Sequence, residues 1–534
     1  MRRVNPPLAG SHSGSLPIWR VAEWRLKAGV DDSIVGVFTG PDGAVLRRDA
    51  FPFGSGELAI RFAPTAVGEW IVQLECPSVP ELDGAIDHFE TVAATGDGAL
   101  SHGFLKVTPG ASYLEHADGT PFLWLGDTHW RFTSESWDES NKPGWTSQFR
   151  GTVDRRTAQG YSVYQANLML FDWGAEHSRY FIGDSDDLDL EFLHEVVDPR
   201  VAYVADSGLV IALGLGWHQA VDGRLERIEK FARHIVARYG AYPIVWTLGG
   251  EVPGYEPELK QSRLDRWRRI AEIVRAADGY RHPMTAHSTN ERPLPAYYAD
   301  EPWFDFALNQ HGHGDLDLSP IHYSDFFNAH PGIPMVEGET LYEALTSVEA
   351  VGRRTVDDTM VRQAAYRAMQ SGCCGFSYGA QGGWNGAWEK GSFDDVWGNR
   401  AWYEGIDLPG GEQLRHLRGF YERLPWHELQ PTADCFEPGD PLNAAFYQPL
   451  ATADATRAIV VVYFDERYRT TGMGGSLRGL AAPSYTLSWF DPRSGQRSII
   501  DPGRDTQSGT LAVPDPPEMR DWLLVARDAR STND

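Results

Sequence analysis

The chain has 534 residues, with hydrophobic residues at 42% and charged residues at 23%. This average globular composition excludes disorder, collagen and coiled coil for the whole chain, and at about 150 residues per domain the length holds about three domains or one large barrel with appendages. Asp and Glu number 74 against 48 Lys and Arg, a net charge of −26 that repels polyphosphate and anionic lipid and argues against nucleic-acid and membrane partners.

The amino-terminal stretch MRRVNPPLAGSHSGSLP carries arginines but no apolar run of signal-peptide length, and no later run reaches a membrane span. The expectation is a cytoplasmic protein. From Ile18 to Val92 short alternating runs (VAEWRL, SIVGVF, LAIRFAP, GEWIVQLEC) are broken by Gly, Pro and Asp-Gly, the pattern of an antiparallel β-sandwich over residues 16–98.

Residues 104–428 alternate short apolar runs with amphipathic stretches, the sign of parallel βα units. Eight runs qualify as strands: PFLWLGD (121–127), YSVYQANLML (161–170), GLVIALGLG (208–216), PIVWTLGG (243–250), HPMTAHS (282–288), FDFALNQ (304–310), IPMVEGE (333–339) and GCCGFSYG (372–379). Helical spacing appears in 145–159, 223–240, 258–279 and 355–372, mostly closed by Gly, and no convincing helix follows the fifth run. Eight strands close a (β/α)8 TIM barrel. From Thr432 to about residue 530 the alternating style returns (AIVVVYF, YTLSWFDPRSG, LAVPDPP, DWLLVAR). The fold class is therefore α/β, a barrel flanked by amino- and carboxy-terminal antiparallel β-sandwiches.

In such a barrel the reactive groups collect at the carboxy ends of the strands. Those ends carry Asp127, His129 and Trp130; Gln165 and Asn167; Trp217 and His218; Glu251; His287; Asn309, Gln310 and His311; Glu337 and Glu339; and Tyr378, Gln381 and Trp384. Amides and imidazoles hydrogen-bond hydroxyls, and 12% aromatic residues, including 19 Trp, supply flat faces for sugar C–H groups, so the mixture suits a neutral carbohydrate.

Two acids stand out. Glu251 follows two glycines at the end of the fourth run, where function or a helix dipole would explain a charge. Glu339 ends the seventh run. Cleaving an acetal needs a protonated carboxyl to donate to the leaving oxygen and a carboxylate to meet the charge developing at the anomeric carbon; Glu251 and Glu339 can divide these roles. Retaining enzymes set the carboxyls about 5–5.5 Å apart and inverting ones about 6.5–9.5 Å. Glu337 and Glu343 compete with Glu339, and in an extended strand Glu337 and Glu339 point the same way.

The motifs PFLWLGDTHW, VWTLGGE and MVEGETLYE, taken in this order, resemble the apiosidase-like glycoside hydrolases, a bacterial family with a (β/α)8 catalytic barrel. IRFAPTAVGEW resembles the β-sandwich that often precedes such barrels, and VVVYF with LSWFDPRSG resembles the small β-domain that often follows. The resemblance implies an acid/base at Glu251 and a nucleophile at Glu339, followed by Tyr342 and Glu343, with Asp127 binding substrate or ordering a loop. Two positions depart. The family usually has Asp where Glu251 stands, so one more methylene moves the donor by about a bond length, and Thr340 stands where Pro is common.

A cytoplasmic location implies exo-action on short imported glycosides. The pattern calls for no cofactor. A metal-dependent hydrolase is the rival suggested by His129, His218, His287, His311 and His313, but the first strand lacks a local His pair, and no metal is expected. A non-catalytic carbohydrate-binding protein is the second rival. The Trp-rich loops GWTSQF (144–149) and GGWNGAWEKGSFDDVW (382–397) are candidates for a substrate wall or a subunit interface, the second placed over the pocket; a homo-oligomer is left open. Cys76, Cys373, Cys374 and Cys435 show no metal-ligand spacing and read as buried reduced thiols.

Overall fold

The computed structural model describes residues 15–29, 33–54, 56–96, 98–169, 179–183, 185–290, 293–313, 320–349, 352–392, 397–439, 449–466 and 474–530. The stretch 1–14, the last residue of the second strand run and residues 393–396 of the second Trp-rich loop lie outside them.

Seven parallel strands share one hydrogen-bonded sheet: β1 (Trp124–His129), β2 (Val163–Asn167), β3 (Val210–Trp217), β4 (Ile244–Gly250), β5 (Ala307–Gln310), β6 (Met335–Glu339) and β7 (Gly375–Tyr378). Their order is β4-β3-β2-β1-β7-β6-β5. Covered on both faces, they read as near-continuous apolar runs instead of alternating ones, and every residue of β1, β2, β4, β5, β6 and β7 is buried.

The fifth of the eight expected strands is corrected. Residues 282–288 form single bridges: Met284 with Trp246, His287 with Leu308 and Ser288 with Val252. Pro283 cannot donate to a ladder, and the backbone of neighbouring β4 turns left-handed at Leu248, φ 42°. The segment still closes the gap between β4 and β5, donating from Thr285 to the Trp246 carbonyl at 2.8 Å and from His287 to the Gly249 carbonyl at 2.9 Å.

Helices α1 (Gln148–Ala158), α2 (Asp198–Asp206), α3 (Leu225–Tyr239), α4 (Lys260–Ala277), α5 (Pro320–Ala329), α6 (Asp358–Gln370) and α7 (Pro409–Tyr421) surround the sheet. α1, α3, α4 and α6 fall inside the four helical stretches. Among the described residues after 288, only the short Pro295–Tyr298 turn of helix precedes β5, which matches the weak signal there. Ser147 and Asp357 cap α1 and α6 by accepting from Arg150 N and Met360 N. On α3, Ile228, Phe231, Ala232, Ile235, Val236 and Tyr239 repeat at three- and four-residue spacing and are buried.

Of the three glycines that close helical stretches and Gly160, which follows the first, two act differently from left-handed C-caps. Gly160 and Gly372 are left-handed, φ 80° and 101°. Gly240 has φ −67°, and a side chain there would sit 2.7 Å from the Val236 carbonyl and 3.1 Å from Arg48; one at Gly279 would sit 2.6 Å from the Arg47 carbonyl. These glycines let the amino-terminal sheet approach the barrel.

That amino-terminal unit packs a five-stranded sheet (Leu16–Pro17, Ile86–Val92, Gly68–Glu75, Val35–Thr39, Val45–Asp49) on a three-stranded one (Ala22–Lys27, Glu57–Phe62, Phe51–Gly54) around Trp24, Phe38, Phe62, Trp70 and Phe89. It is antiparallel except at its edge, where Leu16–Pro17 runs parallel to Thr91–Val92. At the carboxy end a six-stranded and a three-stranded sheet enclose Phe464, Leu487, Trp489 and Leu524. The outer face of the larger sheet continues the barrel core through Val461, Tyr463, Leu523 and Val525, and Tyr463 stacks on Tyr366 of α6 with ring centres 5.5 Å apart.

Buried ion pairs bind both flanking units to the barrel. Asp198, at the start of α2, accepts from Arg61 of the amino-terminal sheet at 2.7 and 3.2 Å and from Arg238 of α3 at 2.7 and 2.8 Å. At the other end Arg362 of α6 donates to Asp521 at 2.9 and 3.1 Å, and Arg367 meets Asp465 at 3.1 Å. Burial opposes ionisation of Asp198, but the two guanidiniums more than offset it and hold the carboxyl well below the usual 3.8. Its contribution is therefore present above about pH 4 and lost as pH falls below that. Asp198→Asn should cost about 3–5 kcal/mol by leaving two buried cations under-compensated. In urea unfolding at neutral pH the variant should be destabilised by that amount, and the difference should narrow in titrations below pH 4.

Candidate active site

At the carboxy ends of the barrel strands lies a cavity of about 420 Å³, walled by Trp130, Trp217, Trp384, Trp397 and Tyr342. Its polar lining comes from His218, Gln219, Glu251, Tyr255, Glu256, Asn290, Gln310, His313 and Glu339. A larger hollow of about 640 Å³ lies between the amino-terminal sheet and α3, lined by Phe51, Leu188, Glu226 and His234 among others. No barrel strand end reaches it, so the smaller cavity is the candidate site.

Glu251 enters this cavity because the chain turns sharply after β4. Its φ is 49°, a left-handed conformation that costs a non-glycine residue about 1–2 kcal/mol and is concentrated at functional sites. Gly250 is required beside it, since a side chain there would come within 2.1 Å of the Trp217 ring. A helix dipole does not account for Glu251, as the next helix begins only at Lys260. One carboxylate oxygen accepts from Trp217 Nε1 at 3.2 Å, and the other accepts from Tyr255 Oη and Gln310 Nε2, both at 3.1 Å.

Glu339 comes from the end of β6 and is buried. Its Oε1 faces His313 Nε2 at 2.9 Å. Its Oε2 lies 3.3 Å from His287 Nε2 but off the hydrogen-bonding direction, and takes part in no hydrogen bond among the described residues.

The two carboxyls are displaced in opposite senses. Burial pushes Glu251 up, and the charge of Glu339 pushes it further. Burial also works on Glu339, but His287 and His313 more than offset it and hold the group at about 2. The cavity thus pairs a carboxyl whose proton is held more tightly than usual with a firmly ionised carboxylate.

Of the residues expected here, Glu251, Glu339, Trp130, Trp217, His218, Gln310 and Trp384 line the cavity, and His287 stands directly behind Glu339. His218 is held neutral, down to about 4, by burial and by the charge of Arg263. The others lie elsewhere. Gln165 is fully buried among the strands, donating to the Gly338 carbonyl at 2.9 Å and accepting from Ser377 at 2.8 Å. Asn167 donates to the Gly216 carbonyl at 3.1 Å. Tyr378 donates to Glu343 at 2.6 Å, and Glu343 also accepts from Gly410 N at the start of α7.

Glu337 does not share the face of Glu339. The β5–β6 register slips, so that Asn309 faces Glu337 and Gln310 faces Glu339, and the extra residue turns Glu337 towards His311 Nδ1 at 2.9 Å and Tyr323 Oη at 2.5 Å.

Asp127 and His129 form a buried network beneath the site. His129 presents Nε2 to Asp127 at 2.7 Å and Nδ1 to Glu135 at 2.9 Å, Arg156 donates to Asp127 at 2.6 Å, and Tyr164 stacks on the imidazole at 4.6 Å. Both ring nitrogens face acceptors, so the ring is a cation; burial opposes this, and the charges of Asp127 and Glu135 raise it to about 9. His129 adjoins Trp130, whose backbone N donates to the Trp384 carbonyl at 3.0 Å.

Residues missed by the strand-end argument lie one loop further out. Tyr255 and Glu256 follow the Val252–Pro253 cis peptide in the turn after Glu251, so the Pro-Gly turn behind a strand-end acid was the available signal. Trp397 belongs to the second Trp-rich loop, which does reach the cavity, whereas Trp145 of the first packs against Trp402 at 5.6 Å. His311 and His313 of the H-G-H segment each face a different carboxylate. Among the described residues no group of three or more His, Cys, Asp and Glu is placed to hold a metal.

A parallel βα barrel with paired carboxyls in an aromatic cavity is an arrangement that glycosidases use. The family model for the apiosidase-like catalytic domain matches residues 108–428, more than half of the chain. The chain belongs to this family, as its motifs implied, and is a glycoside hydrolase. No curated protein matches it in sequence. Among solved structures, a glycoside hydrolase is 19% identical with TM-score 0.68, covering 82% of this chain and 100% of its own. A glycoside hydrolase family 5 structure from Bacteroides vulgatus ATCC 8482 is 19% identical with TM-score 0.67, covering 81% and 95%. A further structure from that organism covers 96% and 99% at 14% identity and TM-score 0.69. These likenesses show the shared fold. Among the described residues no helix is long and apolar enough to cross a membrane.

Because His129 is raised above its unfolded value near 6.5, its stabilisation is complete below about pH 6.5 and lost as pH rises through about 9. His129→Gln should be destabilised by about 3–5 kcal/mol at pH 6, by analogy with broken buried pairs, and its melting temperature should fall less than that of the unaltered protein between pH 7 and pH 10. An equal fall would show the imidazole to be neutral.

Proposed function

We propose that Glu251 is the acid/base and Glu339 the nucleophile of a retaining, exo-acting glycosidase that cleaves a short plant-derived oligosaccharide or glycoside. The opposed displacement of two carboxyls in one cavity carries this reading, since it divides proton donor from anion as acetal cleavage requires. Glu251 donates to the leaving oxygen as Glu339 attacks the anomeric carbon; Glu251 then takes a proton from the water that releases the sugar.

The walls support a carbohydrate ligand. Trp130, Trp217 and Trp384 offer faces for C–H groups, and His218 Nδ1, Gln219 Oε1 and Gln310 Oε1 are buried polar atoms with no hydrogen bond among the described residues that can orient hydroxyls. A volume of about 420 Å³ lies towards the small end of ligand pockets, roughly 300–1,000 Å³, which favours a short substrate. Membership of the apiosidase-like family makes an apioside or another pentofuranoside the first sugar to try. The additional methylene of Glu251 bears on which sugar fits.

Aryl apiosides and pentofuranosides, assayed with and without a chelator, test the reading. Release of the aryl alcohol should resist the chelator, and Glu251→Gln should lower kcat/KM by about 10²–10⁴-fold, least for the best leaving groups. Glu339→Gln should abolish turnover while a sugar still binds by calorimetry. The kcat/KM profile should be bell-shaped, its acid limb set by Glu339 near 2 and its alkaline limb by loss of the Glu251 proton above the usual 4.5. Proton NMR of the first-formed sugar should show retained anomeric configuration; inversion would reassign Glu339 as a base.

A further inference from the structure

We infer that His313 is a fixed imidazolium that reserves one oxygen of Glu339 and leaves the other, Oε2, as the atom that attacks the anomeric carbon. The inference rests on the reading of Glu339 as nucleophile.

Hydrogen-bond geometry places one proton on His313 Nδ1 and a second between Nε2 and Glu339. Its Nδ1 lies 2.8 Å from the Thr340 carbonyl, which can only accept, so Nδ1 carries a proton. Its Nε2 lies 2.9 Å from Glu339 Oε1. A neutral ring would present a lone pair to the carboxylate there, so a second proton must lie between the two atoms. With Glu339 ionised, that proton makes the ring a cation. Burial disfavours this, while the hydrogen bond and charge of Glu339 favour it and raise His313 above the ordinary imidazole value.

The groups around the ring agree. Glu339 and the more distant Glu251 are the acids acting on it, the Tyr342 ring lies 4.5 Å away and Trp397 5.9 Å away. His287 approaches the other oxygen of Glu339.

The segment bearing His313 is held in place by the second acid of β6. Glu337 accepts from His311 N at 3.2 Å and from His311 Nδ1 at 2.9 Å, and the Glu339 carbonyl accepts from His311 N at 2.9 Å and Gly312 N at 3.3 Å. Gly312, at φ 74°, turns the chain so that His313 reaches back to Glu339. Glu337 thereby anchors His311, two residues before His313 in the same turn.

This arrangement distinguishes the two oxygens of the nucleophile. Oε1 accepts from His313 at 2.9 Å, whereas Oε2 is buried and takes part in no hydrogen bond among the described residues, with His287 Nε2 standing 3.3 Å away off the hydrogen-bonding direction. In glycosylation the Oε2–C1 bond forms as the C1–O bond to the leaving group breaks, with the proton of Glu251 passing to that oxygen. Oε1 becomes the ester carbonyl and still accepts from His313. In deglycosylation water attacks C1, Glu251 takes its proton, and the Oε2–C1 bond breaks, returning the negative charge to a carboxylate whose counter-ion is already in position.

Histidine-selective nitrogen NMR of the unaltered enzyme at pH 7 should show His313 protonated at both nitrogens, and in Glu339→Gln only at Nδ1. In His313→Gln, with melting temperature checked, the acid limb of kcat/KM should move up by roughly 1–3 pH units, because a neutral amide cannot offset the burial of Glu339. A singly protonated His313 in the unaltered enzyme, or an unmoved acid limb in His313→Gln, would overturn the inference even if Glu339→Gln is inactive. Activity retained in Glu339→Gln would instead overturn the reading on which it rests.

Discussion

Two carboxyls that share one cavity cannot both be ionised without a penalty, since burial and mutual repulsion act against the second charge. In this enzyme one of them, Glu339, lies against two imidazoles, while the other, Glu251, accepts hydrogen bonds from the neutral donors of Trp217, Tyr255 and Gln310. The asymmetry between the two acids is thus built from their neighbours, and much of the surrounding structure serves to hold those neighbours in position.

The support extends well below the cavity. The register slip at Gly338 sends Glu337 to the 311–313 segment, and the left-handed turn at residue 251 is packed between the glycines of β4 and the Trp217 and Trp267 rings. Beneath Trp130, the Asp127–His129–Glu135 chain with Arg156 replaces what would otherwise be an unsatisfied polar layer at the barrel mouth. Farther out, Asp198 and Asp521 pin the flanking sheets to barrel helices through buried arginines. Strict geometric pairing is what makes such burial tolerable, and it makes these positions sensitive to single substitutions.

Much of this could be read from the chain. The βα alternation located the strands of the barrel, and the strand-end rule led to Glu251 and Glu339 and to Trp130, Trp217, His218, Gln310 and Trp384 in the cavity wall. The same rule overreached at Asp127, His129, Gln165, Asn167, His311, Glu337 and Tyr378, all of which are polar, close to strand ends and turned to other partners. Chain position says how near a residue is to the barrel mouth; side-chain direction depends on twist, register and the partner across the sheet. The fifth strand shows the same limit. HPMTAHS has the right place in the order, but its proline and its irregular neighbour leave single bridges instead of a ladder.

By itself the sequence determined the fold class, the sandwich-like units at either end, the family and the two acids most suited to acetal chemistry. Those follow from local patterns of apolar spacing, turn residues and short motifs that survive without knowledge of contacts. The tertiary structure decided which acid is crowded and which is paired. His287, His313 and Glu339 come from three separate barrel segments, and a carboxyl's charge is set by what lies within a few ångströms of it, a distance that only the closed barrel defines.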